Sequence, residues 1–274
     1  MEHRGQAARF GSAVVPLVLR QRVQSKIELV EVPSRGQHQT YLWLVGHRPI
    51  RQEINLANIP DLFLRFARSC STRDKLLGFV RHYGIPVLDE EQLDEPGIIG
   101  PSTMDACVEL GVYLRLADLM LFVVRLHAEL QDGNRDYLIA NRDRIANLSS
   151  HYSAICAGLA DREEYVKSLY QQALGDLRFA AMTLISMVCT AFTGMVDEPG
   201  VHTLVSYYPG LGARRYRLAP TFTTIVFDQF VQFMECGKGI GICEECRQPF
   251  EKTRRDRIYC SDNCSARKRN RKAS

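Results

Sequence analysis

The sequence predicts a mainly α fold: a helical body carrying two small β-hairpins, followed by a compact C-terminal module of different character. Three observations predict it. Apolar residues recur at helical spacing through much of the stretch between residues 59 and 235. Two shorter segments alternate or run apolar on either side of Gly, Pro and Ser clusters. The last stretch gathers cysteine and positive charge. At 274 residues, 46% hydrophobic and 24% charged, the chain has the composition of a soluble globular protein large enough to bury a real core. From Cys243 onward it holds four of its nine cysteines and ten of its 35 Lys and Arg residues, against five acids. The residues before Cys243 hold 25 basic and 26 acidic side chains, so the body is neutral and the tail basic. That asymmetry points to a polyanionic partner, nucleic acid before membrane.

Residues 1–22 read as an N-terminal arm. Its apolar run Ala13–Leu19 contains a proline and lacks a small-residue cleavage site, which fits a mobile arm or edge strand and not a signal peptide. Residues 23–236 form the body. Within it, residues 26–47 read as a hairpin whose turn is "PSRGQHQ". Helices follow over "NIPDLFLRFARSC" and over "STRDKLLGFVRHYG", the latter opened by a Ser-x-x-Asp signal at Ser71 and stopped at Gly84. A loop rich in Asp, Glu, Gly and Pro covers Asp89 to Pro101. Two long helices are then expected, one from the Ser-x-x-Asp signal at Ser102 to Gly133, the other from the Asp161–Glu164 box into "FAAMTLISMVCTAFTGMV". A second hairpin spans "HTLVSYY" and "RRYRLA", and "PTFTTIVFDQFVQFMEC" reads as a last helix with Phe222, Ile225, Val226, Phe230 and Phe233 in one stripe.

Phe179 to Val196 carries eighteen residues without a charge, the lower edge of a membrane span. Its Thr, Ser and Gly content, and its continuity with an amphipathic helix, favour a central buried helix and a cytoplasmic protein. Cys70, Cys107, Cys156, Cys189 and Cys236 are scattered singly among apolar residues, as buried small hydrophobes of a reducing compartment would be.

Residues 237–274 are the C-terminal module. The spacing Cys243-x2-Cys246, thirteen residues, Cys260-x3-Cys264 lets two local turns each present two sulfurs to one ion. Four protein ligands close the coordination sphere, so the expected cofactor is one structural Zn2+ and not a catalytic one. The segment also lacks a core. Its sizeable apolar groups are Phe250, Ile258 and Tyr259, too few to offset the ordering entropy, whereas zinc contributes on the order of 10 kcal/mol of folding energy. Two disulfides or an iron–sulfur cluster are the alternatives; the compartment disfavours the first, the scant apolar cover the second. The expected arrangement is treble-clef-like: a knuckle at the first pair, a hairpin over residues 247–259 turning near "TRRD", and a helix with Cys264 on its first turn and Ser261 or Asp262 as cap.

Beyond Cys264 stand Arg267, Lys268, Arg269, Arg271 and Lys272 with no acid among them. On a helix they form a wide basic arc, as phosphate contact requires, and Arg254, Arg255 and Arg257 add to it from the preceding hairpin. Cys264 falls inside that arc, so Arg267 and Lys268 are expected near the metal as donors to its thiolates. The plainer reading is a solubilising basic end. Other motifs fall away. "HAE" at His127–Glu129 lies in an apolar helix far from the Cys pairs, unlike a zinc deaminase. "CGKGIG" lacks phosphate-loop spacing and follows a helix. His82, His127 and His151 stand singly, and no acid, base and nucleophile converge, which argues against an enzyme.

"CEECRQPFEKTRRDRIYCSDNCSARKRNRK" resembles the CGNR-type zinc finger, with Phe250, Tyr259-Cys260-Ser261 and Arg267 in the places of its motif. Cys264-Ser265-Ala266-Arg267 stands where that family reads Cys-Gly-Asn-Arg, and the first pair is more tightly spaced. "LFLRFARSCSTRDKLLGFVRHYGIPVL" and the segment from His202 to Cys236 are similar to the ABATE domain that precedes such fingers. The resemblance implies a stress-linked bacterial transcription regulator. The expected function is zinc-dependent nucleic-acid binding, DNA before RNA, with the body as a sensor or homodimerisation module and no membrane contact. The alternative is a protein-interaction adaptor whose finger binds an acidic partner.

Overall fold

The computed structural model describes residues 17–18, 20–33, 40–85, 104–160, 176–193, 203–208, 212–218, 222–254 and 256–273. The elements run β1 (Leu17–Val18), β2 (Arg20–Pro33), β3 (Thr40–Asn55), α1 (Leu62–Ser69), α2 (Arg73–Tyr83), β4 (Met104–Glu109), α3 (Leu110–Gln131), α4 (Arg135–Ala140), α5 (Arg142–Ala160), α6 (Leu177–Thr193), β5 (Thr203–Tyr208), β6 (Gly212–Leu218), α7 (Phe222–Glu235), β7 (Gly239–Ile242), β8 (Pro249–Lys252) and α8 (Asp262–Ala273). The body is mostly helical, as expected. The Asp89–Pro101 loop, the Asp161–Glu164 box, Arg255 and most of both hairpin turns lie outside the described residues. Among the described residues no helix is long and apolar enough to cross a membrane.

Aromatic packing joins α1, α2, α3 and α7. The Phe66 ring on α1 meets Phe222 at 4.9 Å, Tyr113 at 5.4 Å and Phe79 at 5.8 Å. Phe63 meets Phe233 and Phe230 of α7 at 5.3 and 5.5 Å. All of these rings are buried, and each tilted or edge-on pair adds about 0.5–1.5 kcal/mol beyond the area it buries. The Tyr113 hydroxyl, deep in this cluster, shares a hydrogen bond of 2.8 Å with Ser69 Oγ. Burial raises the Tyr113 pKa, so the phenol stays neutral. The Phe222, Ile225, Val226, Phe230 and Phe233 stripe is buried as its spacing predicts.

Both hairpins form. β2 and β3 are longer than the sequence suggests, and β2 begins at Arg20, inside the expected arm. β1 runs parallel to β6 at the edge of the sheet β1-β6-β5, the edge-strand alternative for the arm's apolar run.

Several expectations are corrected. Residues 104–109 are not the first turns of a helix but β4, which pairs with β3 so that Leu44 faces Val108 and Val45 faces Cys107. Burial of Leu44, Val45 and Val108 in a three-stranded sheet outweighs the local capping signal at Ser102. α4 and α5 were not anticipated; Asn134 caps α4, its side chain accepting from the Tyr137 amide at 3.3 Å. The cap of α2 is Thr72, one residue past Ser71, and Gly84 ends that helix at φ 84°, which a side chain would strain. The uncharged helix α6 starts at Leu177, where Asp176 Oδ1 accepts from the Arg178 amide at 2.8 Å. Of the scattered cysteines Cys189 is buried and Cys70 half-buried, but Cys236 is exposed where α7 ends; the side chains of Cys107 and Cys156 lie outside the described residues.

His127 on α3 packs edge-on against Phe230 at 5.7 Å, and its Nε2 has no hydrogen-bond partner. Burial lowers its pKa below the ordinary 6.5. The unfolded chain therefore takes up the proton more readily, and stability rises with pH between the depressed native value and about 6.5. Thermal unfolding should show the protein losing stability as pH falls below about 6.5, with a shallower loss in His127→Phe.

Candidate metal centre

The C-terminal module begins on the body. β7 lays Ile240, fully buried, into the body core, and the Ile240 amide donates to Gln131 Oε1 at the end of α3 (3.4 Å). β8 pairs back antiparallel on β7, Ile242 opposite Pro249 and Gly241 opposite Phe250. Lys252 reaches Asp132 at 3.0 Å, and the Arg68 guanidinium of α1 donates through Nε to the Pro249 carbonyl at 2.9 Å and through Nη2 to the same oxygen.

The first cysteine pair forms the turn of this hairpin. The Cys243 amide donates to Gln248 O (3.0 Å), and the Arg247 amide donates back to Cys243 O (2.9 Å). Arg247 holds φ 57°, a left-handed conformation that costs a non-glycine residue about 1–2 kcal/mol. The Glu244 amide donates to Ile258 O (3.1 Å), tying the turn to the loop that brings in the second pair. Ser261 caps α8, its Oγ accepting from the Cys264 amide at 3.3 Å, so Cys264 sits on the first helical turn as expected. The expected hairpin over 247–259 is corrected: the paired strands flank the knuckle, because Phe250 of β8 must face the sulfurs while Ile240 of β7 faces the body.

The four cysteine sulfurs lie within 4.8 Å of one another. Cys246 and Cys260 are separated by 3.6 Å between sulfurs, Cys260 and Cys264 by 3.5 Å. A disulfide would need about 2.05 Å. A tetrahedron with metal–sulfur bonds of about 2.3 Å has edges of about 3.8 Å, so the set fits a single tetrahedral ion. The site's own cluster of buried residues is Cys243, Phe250 and Cys264, with Cys246, Tyr259 and Cys260 around it. Burial pushes the Cys243 thiol up, but hydrogen bonds from the backbone at Cys246, Cys260 and Glu245 outweigh it and bring it down to about 7. Cys260 is pushed up to about 12, first by burial and then by sharing hydrogen bonds with the other thiols. A divalent cation among the four sulfurs would favour the thiolate form of each.

The basic residues divide. Arg267, Arg269 and Arg271 are exposed on α8, Arg254 is exposed on the loop, and Lys268 is half-buried. The Lys272 side chain lies outside the described residues. Arg271 pairs with Glu245 of the knuckle at 3.3 Å. Arg257, expected to face phosphate, turns inward: it donates to Cys260 O at 2.7 Å and Tyr259 O at 3.0 Å and lies 5.3 Å over the Phe250 ring. Arg257 and Arg68 brace the site through the carbonyls of Tyr259, Cys260 and Pro249, and Arg267, expected near the metal, is exposed on α8. Sequence reasoning missed Arg68 altogether. Nothing in the sequence sets it apart from Arg65, the other arginine of α1.

No family model matches the sequence, and comparison with curated proteins and with solved structures finds no similar one. Cys260→Ser should abolish retention of a divalent ion while the body keeps its helical signal, whereas Cys236→Ser should leave metal content unchanged. Elemental analysis and far-UV circular dichroism of the purified variants check both.

Proposed function

We propose that the chain is a zinc-dependent nucleic-acid-binding protein, DNA before RNA, that regulates transcription through a C-terminal treble-clef-like finger of the CGNR type. One observation carries the reading: a basic helix, α8, starts at the second cysteine pair, so the ion that orders Cys264 also fixes the direction in which Arg267 and Arg269 project. Zinc is the ion of choice because four thiolates in tetrahedral array are its usual closed, structural set. A knuckle at a hairpin tip followed by a helix that supplies the last ligand supports the treble-clef assignment. Phosphate contact would fall to Arg254, Arg255, Arg267, Lys268, Arg269 and Lys272, with Arg257 holding the loop. The body, neutral and aromatic-packed, would serve as sensor or dimerisation module.

The second reading is an adaptor for an acidic protein partner: the pairing of Arg271 with Glu245 shortens the basic run that α8 could lay along successive phosphates. Salt dependence separates the two. If about five phosphates are neutralised, the slope of log affinity for duplex DNA against log salt is about −4 to −5. Charge reversal of Arg267 and Arg269 should flatten it by about two units. A flat profile for the zinc-loaded wild type favours the adaptor.

A further inference from the structure

We propose that a cleft of the body, where the end of β3 and the turn after it meet α1 and α2, is a binding site for a small organic carboxylate, with Arg65 receiving the charge. The inference gives the body a ligand of its own and stands whether or not the finger binds nucleic acid. The cleft has a volume of about 420 Å³, inside the range of small-molecule sites. Ile54, Ile59 and Pro60 give it an apolar wall, and Asn58, Arg65 and His82 supply polar groups. Among the described residues no acidic side chain lines it. One full positive charge beside an apolar wall selects a monoanion with a compact hydrocarbon part.

The lining is held in place by the protein itself. The 3-10 turn Leu56–Asn58 and the residue after it are pinned from α7, where Gln229 Nε2 donates to Leu56 O at 3.4 Å and to Ile59 O at 3.0 Å. Arg65 Nη1 donates to the hydroxyl of the buried Tyr83 at 2.8 Å, tying α1 to the end of α2. Its Nε donates to Asp61 Oδ1 at 3.2 Å. Asp61 precedes α1 at φ 55°, a left-handed conformation uncommon for a non-glycine residue, and its side chain makes no helix cap. The carboxylate that would ordinarily cap the helix is turned onto Arg65 instead. Two nitrogens of the guanidinium are thereby fixed, and among the described residues no protein acceptor meets Nη2. A guanidinium held in one orientation with donors to spare loses little freedom on binding a carboxylate.

The test is isothermal titration of the full chain with benzoate, against benzamide as its uncharged counterpart. Benzoate should bind saturably at millimolar concentration, and benzamide at least about tenfold more weakly, the worth of one charged hydrogen bond. Arg65→Gln should abolish the difference between the two ligands. Asp61→Asn keeps an acceptor for Nε and suits a positive φ, while removing a carboxylate that competes for Arg65; it should tighten benzoate binding about two- to fivefold. His82→Glu puts a carboxylate into the lining at an exposed position, and should weaken benzoate binding while leaving benzamide unchanged. No saturable binding of benzoate, equal affinity for both ligands, or a folded Arg65→Gln protein that still discriminates between them overturns the proposal. Where circular dichroism shows Arg65→Gln unfolded, the other two variants decide: opposite shifts in benzoate affinity support the site, and no shift in either overturns it.

Discussion

The C-terminal module has almost no interior of its own, and the rest of its structure follows from that constraint. Its buried cluster is Phe250 with the cysteines, sulfur making up most of what a larger domain would build from Leu and Ile. Such a segment orders only if something beyond its own core holds it. Two supports are present. The thiols converge to a spacing that suits one ion, and the strand before them inserts Ile240 into the body's core. The hairpin therefore works in two directions, with its first strand as an anchor and its tip and second strand shaping the knuckle.

The same division governs the charges. A run of arginines and lysines reads in sequence as one basic surface, but the fold sorts them by task. Arg257 braces the loop before the second cysteine pair through backbone carbonyls and the Phe250 face. Arg271 neutralises a knuckle glutamate. Arg254, Arg267 and Arg269 stay on the surface. The electrostatic footprint offered to a partner is thus smaller than composition suggests.

What could be read from the sequence was local. The cysteine spacing, the Ser261 cap and the α7 stripe each depend on residues within one or two turns of one another, where pattern and geometry coincide. β4 was hidden because a helix-opening signal at Ser102 competed with strand pairing to Leu44, far away in the chain. α5 was hidden because Leu148, Ile145 and Tyr152 are spaced among Asn, Ser and Arg, a weak stripe that tertiary packing makes sufficient. The inward turn of Arg257 and the reach of Arg68 were illegible for another reason: a sequence shows that a charge exists but not where its side chain points.

The contact between Arg68 and Pro249 joins residues 181 positions apart. This has a consequence for the order in which the molecule is assembled. α1 is synthesised early, yet the carbonyl it holds arrives only when nearly the whole chain has been made. Closing so long a loop costs entropy, as does the packing of Phe63 on Phe233 that joins α1 to α7, so both contacts form later than the local helices. Until β7 docks, the core surface beside α3 that receives Ile240 is uncovered. A chain interrupted before β7 would keep that surface open, which turns the segment from β7 onward into the cover that keeps a newly made body from associating through it.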